Sequence, residues 1–208
     1  MKPSMKLLFQ THSPYARKAL VFAHEAGLAG QVQVIHHETS PLHRNEEVFA
    51  ANPLGKVPVL LRPGLPALFD SDVICAYLDT LHAGPKLIPL EGEARWLALR
   101  LQAVAQGLAD AGIAIRWETQ RRPKELRYAP LRDGYIEKLL ASYDWLEIEL
   151  DVAAPVHVGH IALASTLSWL EFRELPTFRQ RPRLTRWFDE FSRRPSMLAT
   201  PLWGQTHD

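Results

Sequence analysis

The sequence predicts a small α/β domain followed by an all-helical domain, and three observations indicate this. Residues 1–82 alternate short β-branched runs with helical periodicity, in the order β-α-β and then β-β-α. A stretch rich in proline and glycine, residues 83–90, then interrupts the pattern. Beyond it, apolar residues recur only at helical spacing. We therefore expect domains at 1–82 and 91–208, joined by a linker at 83–90.

The elements of the α/β part follow from local patterns. Residues 5–9 form an apolar run typical of a strand, and the alanines and leucine of residues 16–23 recur at helical spacing. The turn signal Arg62-Pro63-Gly64 predicts a hairpin. The remaining predicted elements are a strand at 32–35, a short helix at 46–51, the hairpin strands at 57–61 and 67–69, and a helix at 74–81.

The second half of the chain is predicted to be a helical bundle. Residues 161–170 are apolar or small on every side, so this segment is expected to form the buried centre. Pro123 and Pro130 flank the start of one predicted helix, because proline is tolerated in the first turn of a helix but not in its interior. The other predicted helices are 96–118, the segment with its apolar stripe at 136–150, and 184–191.

Composition excludes several classes of function. The chain has 208 residues, of which 47% are hydrophobic, enough for a core. Its 24 basic and 23 acidic residues nearly cancel, which argues against a nucleic-acid partner. No apolar run approaches the roughly 20 residues of a membrane span, and none has signal-peptide length at the N-terminus. The single Cys75 favours a reducing, cytoplasmic location, and its apolar helical setting favours a buried inert thiol over a nucleophile.

Ser13 stands where the first strand gives way to the first helix. A serine followed by Pro14 is typical of an N-cap with proline at the first helical position. The same hydroxyl could instead donate to an anion, because a helix N-terminus favours negative charge. Both roles are compatible in one residue. A donating hydroxyl at this place would lower the pKa of a bound thiol from about 8.5 towards neutrality.

The dipeptide Val57-Pro58 opens a predicted strand, where the missing N–H of proline is tolerated. A cis bond here would turn the N–H and C=O of Val57 outward, so that an extended peptide ligand could pair with them as an added strand. A plain trans proline at a sheet edge is the alternative.

Asp70 and Ser71 precede the helix predicted at 74–81. Ser71 could act only as a helix cap. Alternatively, its hydroxyl and amide could hold a carboxylate at the helix N-terminus, while Asp70 pairs with an α-amino group. An acid beside a helix start fits the zwitterionic end of an amino-acid-like ligand.

In combination these residues resemble the glutathione S-transferase family, and the resemblance covers nearly the whole chain. The segment 13–18, Ser-Pro-Tyr-Ala-Arg-Lys, is similar to the serine-type active-site motif. Residues 52–60 resemble the loop before the family's cis-proline, and Asp70-Ser71 resembles its acid–serine pair. Segments 109–113 and 159–165 resemble a bacterial subgroup whose substrates are mostly unassigned. The resemblance implies a thioredoxin-like domain followed by a helical domain, and a homodimer.

The resemblance also implies roles for single residues. Ser13 would donate to the glutathione thiolate, and the backbone of Val57, before Pro58, would pair with the cysteinyl part. Asp70 and Ser71 would hold the γ-glutamyl part, and Lys56 would approach the glycyl carboxylate.

The implied activity is conjugation of glutathione, as co-substrate, to a small hydrophobic electrophile, without a metal, in a detoxifying role. Tyr15, Gly112 and Arg116 are candidates to line the electrophile pocket, with packing or solvent exposure as the alternative. Glutathione-dependent peroxide reduction or isomerisation shares the same glutathione site, and the sequence does not separate these reactions. A non-catalytic binding module is the alternative from another class, because fold does not settle function. Trp203 could cover either a pocket or an interface.

Two departures from the family pattern stand out. Many members begin the buried helix with a Ser/Thr-x-x-Asp capping box, whereas His157 and His160 occupy the matching positions here. Two histidines alone do not make a zinc site, which needs three or four protein ligands. The active-site segment also lacks cysteine, so Ser13 cannot attack a disulfide and thiol transfer is disfavoured.

Overall fold

The computed structural model describes residues 5–204, which divide into two compact units. Within the described part, the first unit comprises residues 5–91 and 195–204, and the second is Gly92–Arg194. The predicted second domain, 91–208, therefore differs at its end, since the last described residues lie with the first unit. Residues 1–4 of the predicted first domain and residues 205–208 of the predicted second domain lie outside the described part of the chain. No helix between residues 5 and 204 is long and apolar enough to cross a membrane.

The first unit is built on a four-stranded sheet with the strand order β2-β1-β3-β4. Strand β1 pairs with β2 in parallel and with β3 in antiparallel, and β3 pairs with β4 in antiparallel. This is the thioredoxin-like arrangement that the family resemblance implies. In chain order the elements are β1 (Met5–Phe9), α1 (Pro14–Glu25), a 3₁₀ turn (Ala29–Gln31), β2 (Val32–His36), α2 (Glu46–Ala51), β3 (Val59–Arg62), β4 (Leu65–Leu68) and α3 (Ser71–Asp79).

Both hairpin strands extend closer to the turn than the predicted ranges 57–61 and 67–69, since β3 ends at Arg62 and β4 begins at Leu65. Arg62 pairs with Leu65, so the turn consists of Pro63 and Gly64 alone. Gly64 has φ +70°, a left-handed conformation that glycine adopts without steric cost. Pro66 lies inside β4, and this is tolerated because β4 is an edge strand.

The second unit is a helical bundle centred on one buried helix. Val158–Phe172 is buried on nearly every side, and within the predicted segment 161–170 only Ser168 is partly exposed. The prediction of a buried central helix is confirmed. The elements in order are α4 (Gly92–Arg116), a π turn (Trp117–Arg121), a 3₁₀ turn (Lys124–Leu126), α5 (Ala129–Glu149), α6 (Val158–Phe172) and α7 (Pro182–Phe191).

Helices α4 and α6 approach closely because glycines stand at their contact. A Cβ at Gly159 would lie 2.6 Å from the carbonyl oxygen of Ala98. A Cβ at Gly112 would lie 2.7 Å from side-chain atoms of both Trp169 and Leu170. At Gly159 the close atom belongs to the backbone and leaves no room for a side chain, whereas at Gly112 a side chain would force the buried Trp169 and Leu170 to shift. The packing of α4 against α6 thus accounts for Gly112.

The chain returns to the first unit through the short helix α8, Pro195–Leu198. Arg17 on α1 is 4% exposed and its Nε donates to the carbonyl oxygen of Thr200 at 2.6 Å. Ser196 donates its hydroxyl to the Glu25 carboxylate at the other end of α1. The last described residues are thus tied along α1 by side chains of that helix.

Candidate functional site

Strand register brings the three predicted site segments to one edge of the sheet. Leu8 near the end of β1 pairs with Val59, the first residue of β3. Leu68 at the end of β4 pairs with Leu60 of the same β3. The end of β1, the start of β3 and the end of β4 therefore share an edge. The chain segments at this edge carry Ser13, Val57 and Asp70, so residues far apart in sequence are brought together.

Ser13 caps helix α1, as one of its two predicted roles requires. Its backbone is extended, with φ −92° and ψ 117°, and its Oγ accepts a hydrogen bond from the N–H of Ala16 at 3.2 Å. The side chain is 8% exposed. Within residues 5–204 no group accepts the proton of this hydroxyl, so the donor remains available to a ligand.

The residues that flank Ser13 hold the end of the described chain. Nε2 of His12 lies 2.7 Å from the carbonyl oxygen of Trp203, and Arg17 binds the carbonyl oxygen of Thr200. Burial lowers the pKa of Arg17 to about 10, because the charged guanidinium loses solvation. The indole of Trp203 is 66% exposed, so its backbone is fixed next to the site while its ring faces solvent.

The loop before β3 presents an unpaired backbone. The Val57–Pro58 peptide is cis, as one of the two sequence alternatives had it. Val57 is 8% exposed, and in the described part of the chain neither its N–H nor its C=O makes a hydrogen bond. Buried backbone groups in proteins are nearly always paired. An extended peptide ligand would supply hydrogen-bonding partners for the free N–H and C=O of Val57.

Asn52 organises this loop, and sequence reasoning assigned it no role. The side chain is 2% exposed and its Nδ2 donates to the carbonyl oxygen of Lys56 at 2.8 Å. Its Oδ1 accepts from the N–H of Leu54 at 3.0 Å. Lys56 itself is exposed, so its ammonium is free to reach a carboxylate in solution. The sequence signal that Asn52 ends helix α2 is its position directly after the apolar last turn of that helix.

Asp70, and not Ser71, caps helix α3. Oδ1 of Asp70 accepts from the N–H of Asp72 at 3.0 Å and from that of Val73 at 3.4 Å. The expectation that Ser71 could be only a cap is wrong, because α3 begins at Ser71 and the cap precedes it. Ser71 is 2% exposed, and its hydroxyl makes no hydrogen bond to residues 5–204. The second carboxylate oxygen of Asp70 is likewise unused by the described residues.

An ion pair between a buried lysine and a partly exposed aspartate links helices α1 and α3. Lys18 on α1 is 3% exposed and its ammonium donates to Oδ1 of Asp72 on α3. Cys75 lies one turn further along α3 and is fully buried. Burial raises the pKa of the Cys75 thiol to about 12, so it is protonated at neutral pH. The inert thiol that the sequence favoured is supported by this environment.

The three weaker candidates for the electrophile pocket differ in exposure and in the residues that they contact. Tyr15 on α1 is partly exposed. Gly112 is enclosed by α6 side chains, which gives it a packing role. Arg116 is 5% exposed and its Nε donates to Oε1 of Gln120 in the π turn at 3.2 Å.

His157 caps helix α6, and its ring stacks on that of His160. Nδ1 of His157 accepts from the N–H of Gly159 at 3.1 Å, and the two rings stack with centroids 3.9 Å apart. Burial, and next the neighbouring His160, lower the pKa of His157 to about 4. Burial also lowers the pKa of His160, whose Nε2 lies 3.3 Å from the carbonyl oxygen of Asp151. Between residues 5 and 204 no cluster of three or more His, Cys, Asp or Glu could hold a metal.

Known proteins match both the fold and this site segment. A family model for the N-terminal domain of glutathione S-transferase matches residues 12–81. A solved glutathione transferase family member from Pseudomonas fluorescens Pf-5, with bound glutathione, is 38% identical and has a TM-score of 0.90. The match covers 95% of this chain and 98% of that one. A second structure from the same organism, with bound S-(propanoic acid)-glutathione, is also 38% identical over the same shares, with a TM-score of 0.86.

A curated relative extends the likeness over nearly the full length. The uncharacterized GST-like protein YibF of Escherichia coli K12 is 28% identical over 206 residues, which is 94% of this chain and 98% of that protein. A thioredoxin-like unit followed by a helical unit defines the class of protein, the glutathione transferase fold. The chain belongs to the glutathione transferase family.

Proposed function

We propose that this protein is a glutathione transferase that activates the glutathione thiol for attack on a small hydrophobic electrophile. One observation carries the proposal: unused hydrogen-bonding groups of Ser13, Val57 and Ser71 belong to segments that meet at one edge of the sheet. Orphaned polar groups in buried surroundings are costly unless a ligand satisfies them. The glutathione bound by the structurally similar Pseudomonas protein supports the identity of that ligand.

Each part of glutathione has a proposed partner. The N–H and C=O of Val57 pair with the cysteinyl residue, as in strand addition. The free oxygen of Asp70 binds the α-amino group of the γ-glutamyl part, while Ser71 at the start of α3 binds its carboxylate. The exposed Lys56 approaches the glycyl carboxylate.

The chemistry lies at Ser13. Its hydroxyl donates to the thiolate, and the N-terminus of α1 adds a favourable field. Both stabilise the charged form, so the thiol pKa falls and more nucleophile is present at neutral pH. The sulfur then forms a bond to the electrophilic carbon, and the leaving group departs with its electron pair. Tyr15 on α1 is our proposed contact for the electrophile.

The bound conjugate in the second Pseudomonas structure supports conjugation over peroxide reduction, since that ligand is a thioether of glutathione. We further propose a cytoplasmic homodimer with a detoxifying role, on the basis of the family and of the single, unreactive Cys75. A non-catalytic module would need Ser13 only as the cap of α1, and has no need for the whole set of unused groups at Ser13, Val57, Asp70 and Ser71.

The test is to titrate the protein with glutathione and to follow thiolate absorbance in the ultraviolet as a function of pH. Replacing Ser by Gly at an N-cap costs only a few tenths of a kcal/mol, and Gly brings neither a side-chain donor nor a charge. Ser13→Gly therefore keeps the helix start and removes the donor, while Ser13→Thr keeps both. We expect the wild type and Ser13→Thr to form thiolate near neutral pH, and Ser13→Gly to need a pH higher by about one to two units.

The outcomes separate the two roles of Ser13. Equal thiolate formation in Ser13→Gly and the wild type would reduce Ser13 to a helix cap. Absence of glutathione binding by the wild type would refute the transferase function itself.

A further inference from the structure

The Lys18–Asp72 ion pair is unusual because its cation is almost wholly buried. The side chain of Lys18 is 4% exposed, whereas that of Asp72 is 41% exposed. Removing an ammonium group from water costs several kcal/mol, and replacing such a pair by apolar residues is often neutral or stabilising. Stability alone is therefore a weak reason for a lysine at this position.

The pair connects the two helices on which the proposed site is built. Lys18 lies on α1, whose cap is Ser13, and Asp72 lies in the first turn of α3, whose cap is Asp70. The N–H of Asp72 also donates to Oδ1 of Asp70 at 3.0 Å. One residue, Asp72, thus receives Lys18 through its side chain and binds Asp70 through its backbone.

Resting on the proposed function, we infer that Lys18 is a positioning residue for glutathione. It holds the first turn of α3 against α1, and so fixes the distance between the γ-glutamyl group at Asp70 and the thiol at Ser13. A ligand that binds at two helix starts gains affinity when both are held in place before it arrives, because ordering them on binding costs free energy.

The residues around the pair leave Lys18 with a single anionic partner. Cys75, the fully buried neighbour, keeps its thiol protonated and so supplies no charge. Among the described residues, no other acidic side chain forms an ion pair with Lys18. Replacing Lys18 therefore breaks the ion pair with Asp72 and no other ion pair among the described residues.

The experiment compares Lys18→Met, which keeps the length of the side chain but not its charge, with the matched control Lys6→Met on the exposed face of β1. The dissociation constant for glutathione is measured by calorimetry, and the pKa of the bound thiol by thiolate absorbance. We expect Lys18→Met to raise the dissociation constant about tenfold, because the first turn of α3 must then be ordered when glutathione binds. We expect the thiol pKa, and both quantities in Lys6→Met, to stay at wild-type values.

Asp72→Ala and the double variant complete the test, and they also serve if Lys18→Met does not fold. Alanine removes the oxygen that accepts from Lys18, so either single change breaks the same link and the double variant should bind as weakly as the single ones and no weaker. A purely structural pair would lower the melting temperature and leave the dissociation constant of the folded protein unchanged. Wild-type affinity in folded Lys18→Met or Asp72→Ala, or multiplying effects in the double variant, overturns the inference. Failure of the wild type to bind glutathione refutes the proposed function as well.

Discussion

The imidazole of His157 caps helix α6 only while it is neutral. Its Nδ1 accepts the N–H of Gly159, and a protonated ring would have a donor at that atom instead. A charged ring would also lie at the positive end of the helix and against the stacked His160. Asp151 and Arg194 are the charged residues that act on this pair, and Trp187 packs against His160. The His157 side chain is thus a helix cap whose strength depends on pH.

We predict that the second unit loses stability as the pH falls from about 6.5 to about 4. The pKa of His157 is lowered from 6.5 to about 4 in the folded chain, so the unfolded chain binds the proton more readily. The stabilisation is complete above 6.5 and is lost as the pH falls towards 4. Melting temperatures of the wild type and of His157→Ser, measured across this range, test the prediction.

Serine caps a helix without titrating, so His157→Ser should remain within about 1 kcal/mol of the wild type at neutral pH. It should then lose less stability on acidification. His43→Ser, in an exposed loop of the first unit, is the control and should follow the wild type. Parallel curves for the wild type and His157→Ser would contradict the role of the imidazole.

The segment predicted as a linker is folded against the end of helix α3. The buried carboxylate of Asp79 accepts from the N–H of Leu87 at 2.9 Å and from that of Ile88 at 3.1 Å. Nε2 of His82 lies 3.0 Å from its Oδ1. Lys86 donates to the carbonyl oxygen of Asp79. Proline and glycine in 83–90 indicated a break in periodicity, but not that a carboxylate would order it.

We predict that Asp79→Ala destabilises the protein by about 2–4 kcal/mol, because two buried backbone N–H groups lose their acceptor. Denaturant unfolding gives the free energy. Limited digestion with trypsin should also cut faster after Lys86, whose segment is released. Asp133→Ala, on the exposed face of α5, is the matched control. An unchanged digestion rate at Lys86 would show that Asp79 does not hold the segment.

Over the whole molecule, patterns that depend on neighbours in sequence were predictable and those that depend on tertiary partners were not. The four strands and the buried helix α6 follow from hydrophobic periodicity. Helix α8 has only four residues, and the contacts of Arg17 with the following segment hold it. The burial of Lys18 was equally hidden, since a lysine on a helix is usually solvated.

The candidate site divides in the same way. Ser13 as a cap before proline and Asp70 before a helix are local signals, and both residues do cap helices. Their meeting at one sheet edge depends on the register of β1, β3 and β4, which the sequence does not encode locally. The role of Asn52 depends on the shape of a loop, and its position after helix α2 indicated a helix end but not its bond to Lys56.

The most direct test of a glutathione site at this edge of the sheet is an NMR titration of the ¹⁵N-labelled protein with glutathione, following every backbone amide. Such a site predicts the largest shifts at Val57, whose N–H gains a partner, and at Ser71 and its neighbours at the start of α3. Residues around Ser13 should also shift, while α6 and α7 change little. Shifts confined to Gly92–Arg194, or the absence of any shift at Val57, would contradict a glutathione site at this edge of the sheet.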